Sequence, residues 1–306
     1  STPFRLRREL AYFCVTVYTT ASVGARCKRR LQSTFAQETF MKLGVIHYPF
    51  REFSLEQFLD YCQDAGFGYV ELQCRDVWKE EESDDPEANA EKVLKLVENR
   101  GLKLSALASG NDFVVLDEET VKFQVERMKR VCGLAKILGT NTIRTEGGQP
   151  KDSVPEEKWV EAMGGCFQRC VEFAEEMDIN FAVDNHGLCT NDGDRQLKLI
   201  QMVGSKRVGV NLDTMNYRWF GHEIPTINRF YEILAPHTFH THLKDGTGAR
   251  PNYVGAALGE GEIDLAHAVK CLKEAGYEGV WCAECEAAEP SDVAYRRCLQ
   301  WMKTNL

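Results

Sequence analysis

From Leu43 onward the chain alternates between two hydrophobic rhythms. Short runs dense in Val, Ile, Leu, Phe and Cys read as strands: LGVIHY (43–48), YVELQC (69–74), LKLSALAS (102–109) and NTIRTEG (141–147). They continue as INFAVDNH (179–186), RVGVNLDT (207–214), TFHTHLKD (238–245) and GVWCAECE (279–286). Between them, apolar residues recur at three- and four-residue spacing, as along one face of a helix. Val121, Val125, Met128, Cys132, Ala135 and Leu138 show this most clearly. Several of these stretches end in Gly, at Gly66, Gly101, Gly139 and Gly276, as helices commonly do. Strand and helix alternating through eight units predict a closed parallel (β/α)8 TIM barrel, one domain over residues 41–306. No GxGxxG follows the first run, which argues against an open dinucleotide-binding sheet. The Gly-rich stretch ARPNYVGAALGEGEID (249–264) reads as a mobile loop over the barrel mouth.

Residues 1–40 break the pattern. They carry Arg5, Arg7, Arg8, Arg26, Lys28, Arg29 and Arg30 against only Glu9 and Glu38. Three readings compete for this basic extension: a weak signal-peptide core, an organellar transit peptide, or upstream sequence ahead of a true start at Met41. The last carries most weight, and the segment is set aside from the fold. No run is long and apolar enough for a membrane span.

Composition narrows the function. The 306 residues are 43% hydrophobic and carry a formal charge of −9, which disfavours a phosphate-tracking nucleic-acid surface. Twelve cysteines are scattered through strand and helix patterns, and the only CxxC joins Cys282 to Cys285. Within a strand, residues three apart point to opposite faces and do not grip one ion together. Reduced core thiols in a cytoplasmic protein are the expectation.

The chemistry lies at the ends of the later strands. Asp184, Asp213, His242 and Glu284 each follow a short apolar run, one strand–helix unit apart. In a β/α barrel those positions converge over the carboxyl end. The donor set suits one divalent ion, Mn²⁺ being favoured, with Mg²⁺, Co²⁺ or Zn²⁺ also compatible. Such an ion polarises a sugar carbonyl while a nearby carboxylate moves a proton from the adjacent carbon. His186 shares a strand face with Asp184, and Lys244 shares one with His242. Taken singly, Asp213 reads equally as a helix cap, His242 as a core histidine, and Glu146 as a partner of Arg144 or a substrate-binding acid.

Together VDNHG (183–187), NLDTMN (211–216), HLKDG (242–246), GEGEID (259–264) and GYEGVWCAECE (276–286) resemble the xylose isomerase-like barrel superfamily, in its sugar phosphate isomerase/epimerase branch. The likeness runs from Met41 to about Met302. It implies that Asp184, Asp213, His242 and Glu284 hold the ion, and that Asp184 and Glu284 also flank the substrate and shuttle its proton. It implies substrate contacts at His186 and Lys244. Glu146, Arg144, His47 and Asn216 complete the expected substrate-binding set. Three positions depart from the family pattern. The fifth-strand acid is usually Glu, not Asp184, and the ketose 3-epimerases carry Arg and His where this chain has Gly248 and Asn216.

The expected function is a metal-dependent isomerase or epimerase of a sugar or inositol-derived carbonyl compound. A dehydratase or lyase on a keto-sugar, including cleavage of 3-keto-glycosides, uses the same ion and base and is the alternative. A non-catalytic sugar-binding barrel stands third. The expected partner is a small carbohydrate, with no nucleic acid or membrane, and a homo-oligomer is compatible with the fold.

Overall fold

The computed structural model describes residues 41–79 and 85–306, so the readings of residues 1–40 lie outside the described part. Eight parallel strands close into a barrel. They are β1 (Leu43–Ile46), β2 (Tyr69–Gln73), β3 (Lys103–Ala108), β4 (Thr142–Thr145), β5 (Asn180–Asp184), β6 (Val208–Asp213), β7 (Thr238–Leu243) and, closing against β1, β10 (Trp281–Ala283). Every strand-like run of the sequence is a barrel strand, trimmed by a few residues at its ends. The helices are α1 (Leu55–Ala65), α2 (Pro86–Glu98), α3 (Glu118–Ile137), α4 (Trp159–Glu176), α5 (Gly193–Val203), α7 (Ile224–Leu234), α8 (Leu265–Glu274) and α9 (Ser291–Asn305), with a short α6 (Asn216–Phe220) after β6.

Local chemistry sets these boundaries. Ser54 and Gln57 form a reciprocal capping box at the start of α1, and Gly66 ends that helix at φ 94°. Asp85, Asp117, Asp192 and Asp264 each accept a first-turn backbone N–H at the starts of α2, α3, α5 and α8. The apolar faces of the helices then bury against the outside of the barrel. Phe113, Phe167 and Phe181, all fully buried, interlock there, with Phe113 and Phe167 edge-to-face at 4.9 Å.

The interior of the barrel is unusual. Val, Ile and Leu normally fill it, yet here Glu71, Arg144, Asn211 and His240 are buried at its centre. Charge in that position persists only where it is paired.

The stretch expected to be a mobile loop is organised. Asp245–Thr247 (β8) pairs antiparallel with Val254–Ala256 (β9). The Asp245 carboxylate then accepts backbone N–H groups from Gly246 (2.8 Å), Gly259 (2.9 Å), Gly261 (3.0 Å) and Ile263 (3.2 Å). Gly261 is required there, since a Cβ would stand 2.1 Å from Asp245 Oδ1. One buried side chain therefore fixes both ends of the excursion. The family-motif residue Asp245 spends its oxygens on the loop.

Candidate metal centre and active site

Register brings the strand-end residues together. Asp213 on β6 pairs with His242 on β7, and Cys282, two residues before Glu284, pairs with His242 from the other side. Ligand atoms of Asp213, His242 and Glu284 lie within 4.8 Å of one another, and all three residues are buried. Asp213 divides its oxygens. Oδ1 accepts from the backbone N–H groups of Met215 (2.8 Å) and Asn216 (2.7 Å), whereas buried Oδ2 has no partner. His242 Nδ1 is also without a hydrogen bond, lying 2.9 Å from Glu284 Oε2 but out of alignment, and 3.9 Å from Asp213 Oδ2. A buried carboxylate oxygen and a buried ring nitrogen without hydrogen bonds, beside the Glu284 carboxylate, are what a metal ion satisfies, and leaving them unsatisfied is costly. The residues fit a divalent cation.

The other face of the His242 ring explains its orientation. Nε2 lies 2.6 Å from Glu71 Oε2, a contact that crosses from β7 to β2. A carboxylate on one ring nitrogen fixes the tautomer and presents the other nitrogen as a ligand. Glu71 also accepts from Arg144 Nε (2.8 Å). Burial alone would raise the Glu71 carboxyl, but His242 and Arg144 outweigh it and hold it at about 2. Glu71 was not singled out in the sequence. The available signal was an acid inside the apolar run YVELQC, where a buried charge demands a partner.

Asp184 sits apart from the three-residue group. Its Oδ2 accepts from Arg144 Nη1 (2.9 Å) and its Oδ1 from Asn211 Nδ2 (2.7 Å). Arg144 thus joins Glu71 to Asp184 and reaches Glu146 at 3.5 Å, which makes Glu146 its half-exposed partner. Asn211 Oδ1 in turn takes the Nδ1 proton of His240 at 2.8 Å. A second group able to hold an ion is Glu71, His240 and His242, in which Glu71 already meets His242 while the buried Nε2 of His240 has no partner.

Lys244 covers the opposite side. Its ammonium donates to Glu284 Oε1 (2.7 Å) and Asn216 Oδ1 (3.4 Å) and pairs with Glu286 Oε2 (2.9 Å). Against the effect of burial, Lys244 and His242 hold the Glu284 carboxyl well below its ordinary value. Asp213 is pushed the other way, up to about 7, by burial that Lys244 only partly offsets and by the nearby charges of Glu284 and Asp184. His186 stands half-exposed at the rim, Nδ1 3.8 Å from Asp184 Oδ2. His47, just past β1, donates its backbone N–H to the Glu71 carbonyl, while its ring packs on Phe58 with Nδ1 2.9 Å from Asp76. Neither metal-capable group contains a cysteine; the ten described cysteines are free thiols, all buried except the half-buried Cys271.

A separate cavity of about 450 Å³ opens at the opposite, amino end of the strands, past Lys42, Tyr69, Thr142 and Asn180. It has no carboxylate cluster and belongs to the face that serves stability in such barrels.

These features define a closed β/α barrel with a carboxylate–histidine cluster at the carboxyl ends of its strands. Residues 59–305 match the xylose isomerase-like TIM barrel family, and the chain belongs to it. An inosose isomerase from Bacillus velezensis is 22% identical over 234 residues, covering 74% of this chain and 81% of that protein. Among solved structures, IolI with a binding zinc atom aligns at a TM-score of 0.69 and 19% identity, over 87% of this chain and 96% of IolI. The probable 3-DHS dehydratase AsbF from Bacillus anthracis aligns at 0.68 and 16% identity, over 86% and 99%. Among the described residues, no helix is long and apolar enough to cross a membrane.

Proposed function

We propose that this protein is a divalent-metal-dependent isomerase or epimerase acting on the carbonyl of a sugar or inositol-derived compound. The observation that carries the reading is the convergence of Asp213, His242 and Glu284, with Asp213 Oδ2 and His242 Nδ1 both buried and unpartnered. Those three residues would hold the ion, and the oxygen–nitrogen donor set favours Mn²⁺. A bound divalent ion polarises a carbonyl and acidifies the neighbouring C–H. Glu284, ionised under the influence of Lys244 and His242, takes the proton from that carbon. Lys244, with its ammonium already placed beside Glu284, stabilises the negative charge that develops on substrate oxygen. Asp184 or Glu146 would return a proton from the other side, and His186 and Asn216 would orient substrate hydroxyls.

One observation favours a second outcome of the same first step. Both oxygens of Asp184 are engaged by Arg144 and Asn211, which weakens Asp184 as the second proton donor. If Glu146 does not reach the substrate from the opposite face, the carbanion formed by Glu284 expels a β-substituent instead of being reprotonated there. The protein would then be a dehydratase or keto-glycoside lyase.

Proton NMR in D₂O decides the matter. Metal-loaded protein is incubated with ketoses, inososes and 3-keto-glycosides beside a metal-stripped control. Metal-dependent deuterium entry next to the carbonyl, with the skeleton intact, is the expected result. Release of a substituent moves the protein to the lyases. Absence of exchange in every compound refutes the catalytic reading.

A further inference from the structure

Beside the cluster runs a groove of about 430 Å³, lined by Trp219, Tyr253, Val254, Gly255, Glu286 and Ala288. Its volume falls within the range of small-molecule sites. The walls come from α6, the β8–β9 hairpin and the segment after β10, the same three places that supply Asn216, Lys244 and Glu284. Its walls are chemically mixed. Trp219 and Tyr253 are partly exposed, and Val254 is 60% exposed on the hairpin. Arg250 lies over the rings of Trp219 (5.5 Å) and Phe220 (4.9 Å) and props the indole in place. The polar element is Glu286, whose Oε2 takes the Tyr253 hydroxyl proton at 3.1 Å and pairs with Lys244 at 2.9 Å.

That last contact ties the groove wall to the reaction site. From the groove wall, Glu286 leads to Lys244, and Lys244 leads to Glu284 in one further hydrogen bond of 2.7 Å. A ligand lying in the groove and a ring held at Glu284 would thus have the Lys244–Glu286 pair between them. Aromatic faces and an exposed aliphatic residue suit the apolar face of a sugar ring or an aromatic aglycone, while the outer Glu286 oxygen accepts a hydroxyl.

We infer that this groove is a second-ring subsite, and that the substrates are keto-sugars bearing an aglycone or second sugar that lies against Trp219 and Tyr253. The inference deepens the proposed function and rests on it for the ring held at Glu284. The test measures binding to the metal-loaded full chain by calorimetry, with 4-nitrophenyl β-glucoside and free glucose as probes. The wild type should bind the glycoside about tenfold more tightly than glucose, the scale expected of one aromatic stacking contact with its buried area. Trp219→Ala should abolish the ratio and Trp219→Phe should restore most of it, with Mn²⁺ affinity serving as the check that each variant is folded. Equal binding of the two probes, no binding of either, or a ratio that survives Trp219→Ala would overturn the subsite. Deuterium exchange by the wild type separates the two ideas. A glycoside preference without exchange in any keto compound sinks the catalytic reading alone, whereas exchange in free ketoses with no glycoside preference sinks the subsite alone.

Discussion

Replacing Glu71 by Gln tests the link between the barrel interior and the metal centre. The carboxylate accepts from Arg144 Nε at 2.8 Å through one oxygen and meets His242 Nε2 at 2.6 Å through the other. An amide offers one acceptor and one donor, so one of these two N–H groups must face another N–H. Charge-assisted hydrogen bonds contribute about 1.5–3 kcal/mol each, and removing one member of a buried ion pair costs about 3–5 kcal/mol. The lowered pKa of Glu71 expresses the same two contacts. The Glu71 carboxyl lies at about 2 instead of 4.5, which at ~1.4 kcal/mol per pKa unit amounts to about 3 kcal/mol of preference for the charged form. Metal-free Glu71→Gln should therefore lose about 3–5 kcal/mol in urea titrations followed by tryptophan fluorescence. The sign with pH follows from the depressed acidity. The contribution is complete above the ordinary carboxylate range and fades as pH falls toward 2, so the variant should lose that part of the acid sensitivity. Mn²⁺ affinity, measured by calorimetry, should fall by about 10- to 100-fold, because the His242 tautomer is no longer fixed. A stability loss below about 1 kcal/mol would refute the buried-pair argument, since exposed pairs already reach that value. Unchanged Mn²⁺ affinity would refute the orienting role.

Three further substitutions probe the same architecture. Asp213→Asn keeps a side-chain oxygen to cap α6 but removes the unpartnered carboxylate, so metal-free protein should melt no lower than wild type while Mn²⁺ no longer raises its melting temperature; a lower melting point in the metal-free variant contradicts the orphan-oxygen reading. Glu284→Gln should abolish deuterium exchange next to the carbonyl while substrate is still retained in equilibrium dialysis, and exchange at the wild-type rate would remove Glu284 as the base. Gly261→Ala would place a Cβ 2.4 Å from the backbone nitrogen of Gly246. It should cost about 1–3 kcal/mol and release protection from hydrogen exchange across 246–263; retained protection would show that the turn accommodates the methyl.

The hydrophobic rhythm of the chain revealed the barrel because short dense apolar runs and 3.6-residue periodicity are both local patterns. Asp213, His242 and Glu284 were legible for the same reason, since each ends an apolar run. What stayed hidden depends on distances across the barrel. Glu71 meets His242 from 171 residues away, and nothing near YVELQC announces that partner. The commitment of Asp184 to Arg144 and Asn211 depends on side-chain reach, one methylene short of Glu, which no spacing rule encodes. The order in 249–264 was missed because Gly-rich composition signals freedom, whereas here the glycines let backbone approach the Asp245 carboxylate.

The same anchor has an evolutionary corollary. Asp245 holds Gly246 on one side and Gly259, Gly261 and Ile263 on the other, so the segment between them hangs from a clasp that does not depend on its own sequence. Residues 248–254 at the hairpin tip can then be exchanged, lengthened or shortened while both ends remain moored. The tip meets the region that carries the reaction through the Tyr253–Glu286 contact, and elsewhere along it new specificities can be drafted without rewriting the barrel beneath.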